Sequence, residues 1–106
     1  MAYKRLARIG DTCAGRCWAP SHSGATVNWT GVITTGTGGF FIGSIQAARV
    51  GDTGATSCGH TFYISAGSPI LTGPGGVIIA REDDPVIVHQ GGDGVITSGS
   101  DICSSF

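Results

Sequence analysis

Apolar residues in this chain come in short runs, and no window sustains the period of an amphipathic helix. Gly31 to Thr35, Phe40-Phe41-Ile42-Gly43, Thr61 to Ser65, Gly76 to Ala80, Pro85 to His89 and Val95 to Thr97 are each three to five residues long and rich in β-branched and aromatic side chains. Such side chains suit a pleated, half-buried surface. Glycine brackets nearly every run, and Gly and Pro recur too often for a long helix. The pattern predicts a small all-β chain of short strands and hairpins.

The polar positions between these runs repeat. Arg8-Ile9-Gly10-Asp11, Arg49-Val50-Gly51-Asp52 and Arg81-Glu82-Asp83-Asp84 share one design, and the last two lie 32 residues apart. A second element keeps step with the first: Ile33-Thr34-Thr35-Gly36-Thr37, Ile64-Ser65-Ala66-Gly67-Ser68 and Ile96-Thr97-Ser98-Gly99-Ser100, spaced by 31 and 32 residues. Two elements recurring in register point to three related units, near 8–48, 49–80 and 81–106, in one domain covering 1–106. Each unit reads as an Arg-x-Gly-Asp turn, a loop, an Ile-x-x-Gly-Ser/Thr corner and a β-rich segment. From Arg to Ile the first unit takes 25 residues and the others 15, so its loop carries ten extra, in a region holding Cys13, Cys17, Trp18, Pro20 and Trp29.

Composition adjusts this picture in two ways. Glycine makes up 19 of 106 residues, against an average near 7%, which implies many tight turns and a marginal core that a staple would help. Charged residues are only 12% and the net charge is −1, so the basic footprint that nucleic acid requires is missing. The Lys4, Arg5, Arg8 cluster reads as a solvated N-terminal arm. No apolar run is long enough for a membrane-spanning helix, and the N-terminus lacks the apolar block of a signal peptide. Reduced thiols or metal ligands are therefore expected of Cys13, Cys17, Cys58 and Cys103.

The three histidines fall one to a loop: His22, His60 and His89, with Cys58 beside His60. If three equivalent loops meet at one end of the molecule, these four residues form a His₃Cys set suited to zinc. The competing reading is three unrelated surface histidines. A zinc site would contribute folding energy on the order of 10 kcal/mol, and four protein ligands leave no open position for hydrolytic chemistry. Cys13 and Cys17, with Cys103, could form a second cysteine site or a bridge, or serve as small buried apolar residues. No nucleophile elbow and no phosphate loop is present, so no enzymatic activity is expected. Glu82, Asp83 and Asp84 form an acidic run that reads as a solvated turn before Pro85.

Ala47-Ala48-Arg49-Val50-Gly51-Asp52, with Gln46 in the place of proline, resembles the Pro-Ala-Ala-Arg motif of PAAR-repeat proteins. The Gly-Asp, Cys-Gly-His and Ile-x-x-Gly-Ser elements extend the resemblance over about residues 8 to 100. It implies a glycine-rich cone of short β-hairpins with pseudo-threefold character, docked by its base on a trimeric β-helical spike protein. A structural Zn²⁺ would lie near the point, and by position its ligands would be His22, Cys58, His60 and His89. Such proteins tip the membrane-piercing spikes of phage tails and type VI secretion systems. The function implied is a spike tip that touches the target membrane transiently, with no nucleic acid or small-molecule substrate as partner. The compact length and the long first loop favour a phage tail baseplate, hence a virion component. The alternatives are an adaptor loading a separate effector, since no fused effector domain is expected, and a free-standing zinc hydrolase.

Overall fold

A computed structural model describes residues 4–18, 24–36, 41–68, 72, 76–100 and 104–105. Its strands, in chain order, are β1 (Lys4–Arg5), β2 (Thr12–Cys17), β3 (Val27–Ile33), β4 (Phe41–Ile42), β5 (Ile45–Gln46), β6 (Thr53–Thr56), β7 (Thr61–Ile64), β8 (Pro85–Val88), β9 (Gly92–Ile96) and β10 (Ser104–Ser105). Six of them close an antiparallel barrel in the order β2-β3-β6-β7-β8-β9. The barrel consists of three hairpins, β2–β3, β6–β7 and β8–β9, joined through β3–β6, β7–β8 and β9–β2. Closure pairs every barrel edge, so none is left open to another chain. The stretches expected as loops between each Asp and the following Ile are these hairpins. The ten extra residues of the first one lengthen its strands as well as its connection.

Alternation explains the strands the sequence announced. Val86 and Val88 on β8, Phe62 and Ile64 on β7, and Trp29 and Ile33 on β3 point inward and are buried, while their neighbours face out. Trp29 and Phe62 stack in the middle of the core, with ring centroids 5.3 Å apart. Strands β2 and β6, Thr-Cys-Ala-Gly-Arg-Cys and Thr-Gly-Ala-Thr, were not among the expected runs. Gly15 and Gly54 hide the signal, and each has a steric cause: a Cβ at Gly15 would strike the backbone of Asp93 and Gly94 on the paired β9. A Cβ at Gly54 would strike the Phe62 ring and the Val32 carbonyl, and one at Gly94 would lie 2.8 Å from Cζ2 of Trp29. Two large rings inside so narrow a barrel need bare backbone opposite them. Gly76 to Ala80, by contrast, is no strand and contributes isolated bridges at Ile78 and Ile79.

One end of the barrel is built from the three Arg-to-Asp turns, and their hydrogen bonds are the same each time. The carboxylates of Asp11, Asp52 and Asp84 accept the backbone N–H of Arg8, Arg49 and Arg81 at 2.7, 2.8 and 2.7 Å. The Asp N–H groups return to the Arg carbonyls at 3.0, 3.1 and 3.1 Å. The residue before each Asp, Gly10, Gly51 or Asp83, has φ of 91°, 96° or 69°. An i to i+3 bond with positive φ at the third position is the type II turn pattern. Asp83 tolerates this left-handed backbone where the other two turns use glycine.

Each turn is also tied to the next unit. Thr34 N–H donates to the Thr53 carbonyl, Ser65 to Pro85 and Thr97 to Thr12, at 2.9, 3.0 and 2.7 Å. In addition, Ala7 N–H donates to Ala80, Ala80 to Ala48 and Ala48 to Ala7, at 3.0, 2.9 and 2.9 Å, a closed ring of three fully buried alanines. Side chains repeat the same cycle twice: Thr35 Oγ1 donates to Asp52 at 3.0 Å and Ser98 Oγ to Asp11 at 2.9 Å. The third equivalent position is Ala66, which has no hydroxyl, and there the guanidinium closes in, with Arg81 Nη2 2.8 Å from Asp84 Oδ1. Beyond the ring, Leu6, Ile42, Ala47 and Ile79 make a second small core. Phe41, Ile45 and Ile78 stand exposed in the same region.

Candidate metal centre

The opposite end of the barrel carries the hairpin connections. Between β6 and β7 only Ser57, Cys58 and Gly59 intervene before His60, and Thr56 N–H donates to the His60 carbonyl at 2.9 Å. Gly59 takes a φ of 88°, the left-handed position a three-residue hairpin loop requires. The Thr56 hydroxyl accepts the His60 N–H at 3.0 Å and lies 3.1 Å from Cys58 Sγ. One buried hydroxyl therefore holds both Cys58 and His60.

The inward register of the barrel explains why these side chains meet. Along β6 the positions Gly54 and Thr56 continue to Cys58. Along β7, in reverse, Ile64 and Phe62 continue to His60. On β2, Cys13 and Gly15 lead to Cys17. Period-two spacing thus aims Cys17, Cys58 and His60 into the barrel mouth, directly above the Trp29 and Phe62 layer. Their ligand atoms all lie within 4.8 Å of one another, with Cys17 buried and the other two half-buried. Around a tetrahedral ion with bonds of about 2.0 to 2.3 Å, ligand atoms sit roughly 3.3 to 3.8 Å apart. The observed spread is within a small rotamer adjustment of that, and two sulfurs with one imidazole suit a soft or borderline cation. The group can hold a metal ion.

Only part of the expected set meets here. Cys58 and His60 come together as expected. His22 lies outside the described residues, as does Cys103. His89 is placed elsewhere: it opens the β8–β9 turn, is exposed, and its ring tilts against Tyr63 with centroids 4.8 Å apart. Its Nδ1 is 3.0 Å from Thr61 Oγ1. Thr61 and Tyr63 are the outward residues of β7, so His89 follows the outer face of the barrel. Its backbone N–H donates to the Thr61 carbonyl at 3.0 Å, fixing that placement.

Cys17 is the member the sequence pattern does not mark, because its spacing of four from Cys13 suggests a separate cysteine site or a bridge. Both face inward on one extended strand, four residues and about 13 Å apart. No disulfide can span that distance, and one ion cannot take both as ligands. Cys13 lies deep in the core, where burial and then the nearby Asp11 carboxylate push its thiol up to about 12. It is a neutral apolar core residue. The signal that separates them is position: Cys17 ends its strand at the mouth, and Cys13 begins it beside the turns. Among the described residues no other three His, Cys, Asp or Glu gather this closely. Compared with known proteins, the chain matches no family model and no curated protein.

Proposed function

We propose that this chain is a structural spike tip of the PAAR-repeat kind, a metal-stapled cone capping the trimeric β-helical spike of a phage tail or related contractile machine. The observation that carries the reading is the cyclic hydrogen-bonding of the turn end. A ring in which Ala7, Ala48 and Ala80 each donate to the next gives one chain a base of threefold character, which a trimer's end can match copy for copy. Exposed Phe41, Ile45 and Ile78 beside that base supply apolar surface for docking. The opposite end gathers the metal-capable group.

In this reading the ion is zinc, held by Cys17, Cys58 and His60, with His22, five residues after Cys17, as the fourth ligand. Its work is mechanical, since it ties hairpin ends together at the point where sheath contraction concentrates force on the target membrane. No turnover is required. The tip rides on the tail baseplate of a virion, or on a secretion spike loaded in the bacterial cytoplasm. Two measurements test this. Metal analysis of protein purified without chelator should give about one zinc per chain, and less than half would sink the staple. Mixing with the candidate spike trimer should give one chain per trimer by mass photometry, and a one-to-one ratio of chains would refute the cap.

A further inference from the structure

The same mouth holds a second chemistry. Cys17 and Cys58 belong to different hairpins, the end of β2 and the β6–β7 turn, with β3 between them in the barrel order. Their sulfurs lie within 4.8 Å of each other. They differ in access: Cys17 is fully buried, and Cys58 is half-buried on the β6–β7 turn between exposed Ser57 and Gly59. Bond formation at about 2.05 Å requires the sulfurs to approach by at most about 2.7 Å, and the short, glycine-containing turn that carries Cys58 is the element that moves.

We propose that Cys17 and Cys58 form an oxidation-sensitive pair that closes into a disulfide across the barrel mouth when the metal leaves, so that either a metal ion or a covalent bond staples the point. The oxidant is a low-molecular-weight disulfide such as glutathione disulfide. The accessible Cys58 sulfur attacks it, forming a mixed disulfide and releasing one glutathione thiol. The buried Cys17 sulfur then attacks the Cys58 sulfur and releases the second. Two protein thiols lose two electrons, the glutathione disulfide gains them, and the two thiol protons end on the two glutathiones. Metal ligation would block the first step by occupying the attacking lone pair. Cys13, sealed in the core, takes no part.

The proposal rests on the metal reading for its protection arm alone, since closure depends only on the two sulfurs being neighbours. The test treats the full-length protein with glutathione disulfide, once loaded with zinc and once after removal of metal by a strong chelator. Metal content, intact mass, thiol count and a non-reducing peptide map are measured on both. The expected result is that the chelated protein loses two of its four thiols, stays monomeric, and yields a Cys17–Cys58 peptide, while loaded protein reacts at least tenfold more slowly. Cys13→Ala should react like wild type, and Cys17→Ser should stop at a glutathione adduct on Cys58. A stable adduct on Cys58 in the wild type, a bridge from either residue to Cys103, or no thiol loss would overturn the pair. Equal rates with and without bound zinc would overturn the protection arm alone, and a chain that takes up no zinc yet still closes would instead refute the metal reading.

Discussion

Cys58 and His60 owe their position to one hydroxyl. Thr56 Oγ1 touches the Cys58 sulfur and the His60 N–H, and once Cys58 is a thiolate that hydroxyl can donate only one proton, to the sulfur or to the His60 carbonyl. Thr56→Val keeps the shape and removes both this support and the acceptor of the His60 N–H. It should weaken metal binding about 10- to 100-fold, as loss of an outer-shell partner does, read by competition with a chromogenic chelator. Cys17→Ser, Cys58→Ser and His60→Ala should each abolish stoichiometric binding. His89→Ala should retain the metal and change stability by less than about 0.5 kcal/mol; loss of the metal in that variant would return His89 to the ligand set. Cys13 yields a pH prediction. Its thiol titrates near 9.0 in the unfolded chain and at about 12 in the fold, so the unfolded state releases its proton first. The stability this contributes is intact below pH 9 and is lost as pH rises towards 12. Guanidinium melts across that range should show a shallower alkaline decline in Cys13→Ala than in the wild type, on top of that variant's cavity cost.

At the scale of elements, the three turns are a natural comparison series. Gly51 sits at φ 96°, so Gly51→Ala should cost about 1 to 2 kcal/mol. Asp83→Gly relieves a positive φ and should be neutral or stabilising by up to about 1 kcal/mol. Asp84→Ala should be the worst of the turn changes, about 2 to 4 kcal/mol by urea denaturation, because Arg81 is mostly buried and no hydroxyl replaces its partner. The turns were readable in the sequence because Arg and Asp three apart with glycine between is a local rule. Strands β7 and β8 were readable because their inward residues are bulky. Strands β2 and β6 were hidden because glycine holds an inward position in each, Gly54 where the Phe62 ring needs the space and Gly15 where the β9 backbone comes close. Cys17 was hidden with them, since only the strand register reveals that it points the same way as Cys58. The outward course of His89 depends on its pairing with Thr61, a contact between hairpins that no local spacing encodes.

At the scale of the whole molecule, the barrel carries the main core and the metal-capable mouth, and a second small core lies beyond its turn end. Among the described residues the stacked pair Trp29 and Phe62 is the largest buried unit, and Trp29→Ala should cost about 3 to 5 kcal/mol, enough to unfold a domain of this size at moderate temperature. Chelation should lower the melting temperature by more than about 10 °C if the ion supplies several kcal/mol of folding energy; an unchanged melt would leave the barrel self-sufficient. The cyclic arrangement of the turns also bears on how the chain reaches its fold. Every seam is completed by a residue from the following unit, Thr34 by Thr53, Ser65 by Pro85 and Thr97 by Thr12, and the last seam joins segments some 85 positions apart. No third of the chain can satisfy its own backbone, so partial structures gain little until the circle shuts. Folding should therefore be all-or-none and slow for a chain of this length, on a scale of milliseconds to seconds, with no intermediate in which one unit is formed and the others are not.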